Sequence, residues 1–459
     1  MRRLMALLAT FATVLGLTAL FSPVASAASG CKVDYTVTNQ WQGGFQAGVK
    51  VTNLGDPVSG WTLKFTMPDG GQRVVQGWSA TWSQSGSTVT VAGAGWNSAL
   101  GTGATAEAGF VGSLTGANPK PTAFTLNGVA CTGSVDGGGP TTPPDDSGTP
   151  VGTNGQLHVC GVHLCNQYDK PVQLRGMSTH GLQWFSQCHN AASLDALAND
   201  WKSDLLRIAM YVQEDGYETD PAGFTSRVNS LVDMAEARDM YALIDFHTLT
   251  PGDPNYNLAR AKTFFASVAA RNAGKKNVIY EIANEPNGVS WSAIKSYAEQ
   301  VIPVIRAADP DAVIIVGTRG WSSLGVSDGS SESEIISNPV NATNIMYTFH
   351  FYAASHKDNY RAAVSRAASR LPLFVTEFGT VSATGGGAVD RSSTTAWLDL
   401  LDQLDISYAN WTFSDAPEGS AALRPGTCGG SDYSGSGVLT ESGALIKSRI
   451  STPDNFPTS

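Results

Sequence analysis

The sequence is poor in charge. Only 15% of its 459 residues are Asp, Glu, Lys or Arg, against roughly 25% in an ordinary soluble domain. Basic residues are the scarcer sign: Lys and Arg total 29 against 39 acidic residues, a formal charge of −10. A chain short of basic side chains is ill suited to neutralising a phosphate backbone, so no nucleic-acid partner is expected. Histidine numbers seven, with no H-x-H or H-E-x-x-H spacing, and no metal or other cofactor is expected. Beyond the N-terminus no apolar run is long enough to cross a bilayer, and no membrane partner is expected. What is plentiful is Gly, with 49 residues, and Trp, with 11, within a hydrophobic share of 42%. That share supports real cores. A low-charge, Trp-rich surface suits a neutral partner.

Residues 1–27 read as a secretory signal peptide. Arg2 and Arg3 form a positive start, an apolar run extends from Leu4 to Phe21, and Ala25-Ser26-Ala27 is a small-residue cleavage site. An uncleaved anchor is the alternative for a run of this length; Pro23 and the A-x-A site favour cleavage. The protein is therefore expected outside the cell. The six cysteines, Cys31, Cys131, Cys160, Cys165, Cys188 and Cys428, are then expected in disulfides.

Residues 133–155, GSVDGGGPTTPPDDSGTPVGTNG, hold only two Val among Gly, Pro, Ser, Thr and Asp. Such a composition buries no core and reads as a linker. It divides the remaining chain into a module over 28–132 and another over 156–459. It also sets Cys31 and Cys131 apart from the other four cysteines, which favours pairing them. Cys160 and Cys165 flank four residues, short enough for a hairpin tie, so Cys188 with Cys428 is the favoured third pair.

The first module alternates short apolar-polar runs with Gly, Asn, Pro and Ser turns, as in VDYTVT (33–38), WTLKFTM (61–67) and TVTVAG (88–93). No helical period appears, and an antiparallel β-sandwich is expected. Five of the tryptophans lie here. Trp61 shares a strand face with Leu63 and Phe65 and reads as core. Trp41, Trp78 and Trp96 have polar or Gly neighbours, and Trp78 has parity opposite to Val75. A module this small has little room for five buried indoles. Three exposed indoles form a stripe suited to sugar rings, whose apolar faces stack while their edge hydroxyls stay wet. Trp82 is ambiguous. The frame NQWQGGF…VTNLG…GWTLKF…QGWSATWSQSG…VTVAGAGWN…PTAFTLNGVAC closely resembles the family 2 carbohydrate-binding modules. The resemblance implies a terminal disulfide and cellulose binding through Trp41, Trp78 and Trp96; a xylan-binding subgroup remains open.

From residue 172 a different pattern recurs. Eight apolar strands that end in polar residues lie at 172–181, 204–212, 241–248, 278–286, 312–321, 345–352, 373–379 and 406–413. Amphipathic segments lie between most of them. Eight such units predict an α/β fold, a (β/α)8 TIM barrel, whose site lies at the C-terminal strand ends. Those ends carry His180, Arg207, His247, Asn284-Glu285, Trp321, His350 with Tyr352, Glu377 and Trp411. Two glutamates facing one pocket suit glycoside hydrolysis: one protonates the leaving oxygen, and the other attacks the anomeric carbon or activates water. A lone Glu near a strand end more often serves a structural ion pair; the surrounding polar ends argue otherwise for this pair. A metal site on His180, His247 and His350 is the rival reading, and it lacks the usual ligand spacing.

IANEP, with LRIAMY, IDFH, FHFY and VTEFG, resembles glycoside hydrolase family 5, and GMSTHGLQW points to its bacterial, endoglucanase-rich branch. The resemblance implies a retaining enzyme with Glu285 as acid/base and Glu377 as nucleophile. It implies that Asn284 bonds a sugar 2-hydroxyl and that Arg207 and Tyr352 orient Glu377. His247 and His350 would line the cleaved sugar's subsite, and Trp411 would be its platform, with a cis Trp411–Thr412 peptide. His180 and Trp184 would shape the next subsite, and Trp321 the leaving-group side. Relatives commonly carry a Lys where Ala416 stands; Glu418 is retained. The expected partners are cellulose and soluble β-1,4-glucans, and a monomer is expected. A β-mannanase or another β-1,4-glycanase of the same clan is the alternative.

Overall fold

The computed structural model describes residues 31–54, 57–116, 118–121, 123–131, 148–454 and 456–458. The signal-peptide residues and most of the expected linker lie outside them. The described chain forms two compact units, one within 31–131 and one within 148–458. No helix among the described residues is long and apolar enough to cross a membrane.

The first unit is all β. Strands β1 (Cys31–Trp41), β2 (Gly44–Asn53), β7 (Thr105–Ser113) and β4 (Arg73–Trp78) form one antiparallel sheet in the order β1-β2-β7-β4. β5 (Ala80–Ser85), β6 (Thr88–Gly93), β3 (Thr62–Thr66), β8 (Phe124–Leu126) and β9 (Val129–Ala130) form the other. Alternation sends Val33, Tyr35, Phe45, Val49, Phe65 and Phe110 into one core, with Trp61 among them. Cys31 and Cys131 are bonded. β4 and β5 were not legible as strands, because their burial is weak along their whole length. The parity argument at Trp78 needs correcting too. A bulge between Val74 and Gln76 leaves Val75 outside the ladder, so Val75 and Trp78 are both exposed.

The second unit is the expected barrel. β12 (Arg175–Thr179), β13 (Leu205–Tyr211), β14 (Tyr241–His247), β15 (Val278–Glu281), β16 (Val313–Val316), β17 (Ile345–Tyr352), β18 (Leu373–Gly379) and β19 (Tyr408–Phe413) close in chain order. Every barrel pairing is parallel. Helices fill the connections, and their starts follow from local chemistry. Asp220 caps Pro221–Glu236, Ser290 caps Trp291–Arg306, and Asp390 caps Arg391–Gln403, each side chain accepting from an otherwise unpaired N–H. Ala191–Asn199 is a helix that the periodicity did not reveal; a capping box between Asn190 and Ser193 starts it.

The linker's far end is also corrected. Pro150–Asn154 is a helical turn with Thr153 and Asn154 buried. Val151 donates its N–H to the Asp239 carbonyl at 3.0 Å and packs on the apolar floor of the barrel. Pro150 suits the first position of a helix because its missing N–H is not needed there. Below the barrel, β10 (His158–Cys160) and β11 (His163–Cys165) form the small hairpin, with Cys160 bonded to Cys165. Cys188 is bonded to Cys428, so both favoured pairings hold.

Candidate active site

Inward side chains of a barrel stack in tiers. The lowest tier is apolar and includes Leu174, Leu205, Leu243, Ile279, Ile315 and Phe374. Above it lies an ionic tier: Ser178, Arg207, Asp245, Glu281, Thr348 and Thr376, all fully buried. The top tier opens into a cleft of about 550 Å³. His180, Trp184, His247, Asn284, Glu285, Trp321, His350, Tyr352, Glu377, Trp411 and Glu418 all line it. Arg207 alone among the barrel's expected site residues lies beneath the cleft rather than in its wall.

Arg207 is the hub. Its Nε donates to Glu281 Oε2 at 2.8 Å, and one terminal nitrogen donates to Glu377 Oε2 at 3.0 Å. The other terminal nitrogen meets Asn284 Oδ1 at 2.6 Å and Asp245 Oδ2 at 2.9 Å. A guanidinium spreads donors in a plane, so one cation serves three carboxylates and an amide at once. Breaking a buried cluster of this kind typically costs about 3–5 kcal/mol, because a charge is left uncompensated.

The two glutamates sit in contrasting surroundings. Glu377 accepts from Arg207 and from the Tyr352 hydroxyl at 2.9 Å. Burial works against its charge, but His350, Arg207 and Tyr352 prevail and hold the carboxyl below its ordinary value. Burial and the charge of Glu377 hold Glu285 above its ordinary value, against a hydrogen bond with His350. His350 Nδ1 lies 3.0 Å from Glu285 Oε1. One carboxylate oxygen of each glutamate and a His350 nitrogen all lie within 4.8 Å of one another.

Tautomers follow from partners. His247 Nδ1 lies 2.7 Å from Asp245 Oδ2; burial raises this carboxyl, but Arg207 at 2.9 Å from the same oxygen keeps it an acceptor, so Nδ1 carries hydrogen. Burial and then Arg207 depress this histidine to about 3, so it is neutral and Nε2 is an acceptor. Asn284 Nδ2, 3.1 Å away, fills that acceptor and directs its second hydrogen to the Thr248 carbonyl at 3.4 Å. Tyr211 stacks on His247 at 3.9 Å between ring centroids, and Trp411 lies 5.6 Å from the same ring. The Trp411–Thr412 peptide is cis. His180 touches Trp184 and Trp411 and lies 3.7 Å from Glu418. Ala416 is buried. Trp321, Ser327 and His356 also line the cleft, and Trp321 is 44% exposed.

Several of these groups were missed in the sequence. Tyr211 ends β13 with the same parity as Arg207, and that signal was available. Asp245, Glu281 and Thr376 lie one tier below the cleft; Asp245 and Glu281 stood as lone charges in apolar runs, whereas alternation from Glu377 sends Thr376 outward. His356 sits on a loop and Ser327 in the short 3-10 turn Val326–Asp328, and neither has a sequence pattern.

The first unit carries a second candidate site. Trp41 and Trp78 lie on the outer face of the same sheet. Their rings lie over Gly44 and Gly109, where an added Cβ would come within 2.5 Å and 2.3 Å of the indoles. The glycines let both rings lie flat. Trp96 is 76% exposed on the turn after β6. The next residue, Asn97, anchors that turn through a 2.9 Å bond to the Ser79 carbonyl, beside Trp78. Trp82 instead packs on Phe110 at 4.9 Å.

Comparison with known proteins agrees with this geometry. Residues 165–417 match the cellulase family, glycosyl hydrolase family 5, and residues 31–131 match the cellulose binding domain family. Endoglucanase CelA of Streptomyces lividans is 78% identical across the whole of both chains. Endoglucanase E-5 of Thermobifida fusca is 52% identical over 95% of this chain and 94% of its own. The crystal structure of the catalytic domain of Thermobifida fusca endoglucanase Cel5A is 59% identical. It covers 66% of this chain and all of its own, with a TM-score of 0.66. A variant of that domain has been solved in complex with cellotetraose; it is 58% identical, has the same coverage and also has a TM-score of 0.66.

Proposed function

Because this chain belongs to glycosyl hydrolase family 5, we propose that its cleft cuts internal β-1,4-glucosidic bonds by two successive displacements on Glu377 and Glu285. The chain is an endoglucanase whose N-terminal domain binds cellulose. The observation that supports two displacements is the spacing of the glutamates, with oxygens within 4.8 Å. Retaining glycosidases hold their carboxyl groups about 5–5.5 Å apart; inverting ones leave room for a water between them.

In the first step Glu377 attacks the anomeric carbon. The bond to the leaving oxygen breaks, and that oxygen takes the Glu285 proton. The elevated Glu285 carboxyl keeps this proton available, and the depressed Glu377 carboxyl stays ionised. In the second step Glu285, now a carboxylate, takes a proton from water while the water displaces Glu377. Arg207 and Tyr352 hold the nucleophile's two oxygens, so its attack geometry is set before substrate arrives. The Asn284 amide lines the cleft beside Glu285 and suits the 2-hydroxyl, and Trp411 suits the sugar face. Trp41, Trp78 and Trp96 hold the enzyme on crystalline cellulose. Residues 1–27 direct export, and the enzyme acts as a monomer.

Proton NMR of the first product tests the route. The β-anomer is expected before mutarotation, and an α-anomer as first product would rule the route out. Sugar release from carboxymethyl cellulose, glucomannan, mannan and xylan in parallel tests the substrate. Faster release from mannan than from carboxymethyl cellulose would make the enzyme a mannanase.

A further inference from the structure

The ionic tier contains two carboxylates that the two displacements do not use, Asp245 and Glu281. Glu281 ends β15, is fully buried and does not reach the cleft. Both of its oxygens are committed. Oε2 accepts from Arg207 Nε at 2.8 Å, the cation that holds Glu377. Oε1 accepts from Thr376 Oγ1 at 2.6 Å and lies 3.7 Å from His350 Nε2. One carboxylate therefore leans on the supports of both catalytic glutamates.

Hydrogen-bond direction carries this further. An ionised carboxylate only accepts. The single Thr376 hydroxyl hydrogen must then point to Glu281. Thr376 Oγ1 also lies 2.8 Å from His350 Nε2, and with its hydrogen spent it can only accept there. His350 Nε2 is thus a donor. On the other side of the ring, Nδ1 faces Glu285 Oε1. If Nδ1 is also a donor, Oε1 must be the accepting oxygen of the Glu285 acid. The acid proton is then left on Oε2, free for the leaving oxygen.

Resting on the assignment of Glu285 as acid/base, we propose that Glu281 is a positioning residue for both catalytic glutamates. Through Thr376 it holds His350 as an imidazolium, and this ion decides which oxygen of Glu285 carries the acid proton.

The charge environment agrees. Burial opposes a charge on His350, but its bonds to Glu281 and Glu285 hold it up at about 9. Burial likewise opposes Glu281, while Arg207 and His350 bring it down to about 2. The other titratable groups that reach the imidazole are Glu377 from β18, Asp245 and His247 from β14, and His356 after β17. Glu281 and His350 form a pair whose positive end touches Glu285. That end lowers the pH at which Glu285 releases its proton and readies it to serve as base in the second step.

Two measurements test this. In full-length enzyme labelled with 15N-histidine, the His350 signal, assigned by its loss in His350→Asn, should show both ring nitrogens protonated at pH 7. A neutral ring there overturns the proposal without touching the role of Glu285. In Glu281→Gln, His350 loses the carboxylate that keeps it protonated; with the imidazolium gone from beside Glu285, the alkaline limb of the pH profile for kcat/KM on carboxymethyl cellulose should rise by about 1 unit or more, as expected when a neighbouring opposite charge is lost. A folded variant with reduced kcat and an unmoved limb would leave Glu281 a merely structural group. Should that variant fail to fold, the NMR measurement on the wild type still decides.

Discussion

Thr376 and Glu377 are consecutive on β18, yet both side chains point into the barrel. Thr376 bonds Glu281 and His350, and Glu377 bonds Arg207 and Tyr352. A strand ordinarily sends neighbours to opposite faces. Here a bulge intervenes: Thr348 pairs with Phe374, but His350 pairs with Glu377. The same extra residue appears toward β19, where Val375 pairs with Tyr408 and Phe378 with Asn410. Bulges re-aim side chains next to active sites, and this one lets a single strand support His350 and present Glu377, the proposed nucleophile.

Tyr352→Phe should shift the acid limb of the kcat/KM profile upward. The phenol hydrogen bond lowers the Glu377 carboxyl, so its loss raises that carboxyl, and the nucleophile is protonated at higher pH. A bond to an ionised group contributes about 1.5–3 kcal/mol, and a rise of about 1 unit is expected. An unchanged acid limb would separate Tyr352 from the nucleophile's ionisation.

Glu285→Ala should lose nearly all turnover of unactivated glucan, while 2,4-dinitrophenyl cellobioside, whose leaving group needs no proton, retains more of its first step. Added azide should restore turnover and yield a β-glycosyl azide, because it attacks the glycosyl-enzyme without a base. An α-azide, or no azide product, would remove Glu285 from the acid/base role.

Single alanine variants of Trp41, Trp78 and Trp96 should weaken adsorption to crystalline cellulose. Each lost aromatic stack contributes about 0.5–1.5 kcal/mol beyond area burial. Trp82→Ala should act differently, lowering the module's melting temperature, since that ring packs on Phe110. Asn97→Ala should weaken adsorption less than Trp96→Ala, through a loosened turn. Adsorption isotherms beside thermal melts check all of these, and equal adsorption by wild type and Trp96→Ala would break the stripe.

The Cys188–Cys428 bond joins the loop after β12 to the loop after β19. Those loops frame His180, Trp184, Trp411 and Glu418. Asp415 sits against the junction, accepting from the Cys428 N–H at 3.0 Å. Replacing both cysteines with Ser should destabilise the barrel by about 2–4 kcal/mol. It should also raise KM for cello-oligosaccharides more than it lowers kcat. A fall in kcat at constant KM would place the effect elsewhere.

How far the site was legible depends on the tier. Groups at the strand ends, such as Glu285, His350 and Trp411, stood out because polar residues end otherwise apolar runs. Glu281 and Asp245 lie two residues or more earlier, and within a strand a lone charge reads equally well as an edge or an error. Thr376 could not have been assigned, since strict alternation from Glu377 sends it outward. In the sandwich, Trp41, Trp78 and Trp96 were legible from their polar or Gly neighbours, whereas the added parity argument at Trp78 fails at the bulge beside Val75.

By itself the sequence determined the two-unit order, the eight strands, the three disulfide pairs as the favoured ones, and the chemistry of two carboxylates. These depend on local periodicity, spacing and residue type, which one chain displays directly. Only the tertiary structure decided how far the carboxylates lie from each other, which cation holds Glu377, and that Glu281 underlies the supports of both. Those depend on register between strands distant in sequence and on one extra residue in β18. A bulge changes the facing of every residue beyond it while leaving hardly a trace in composition.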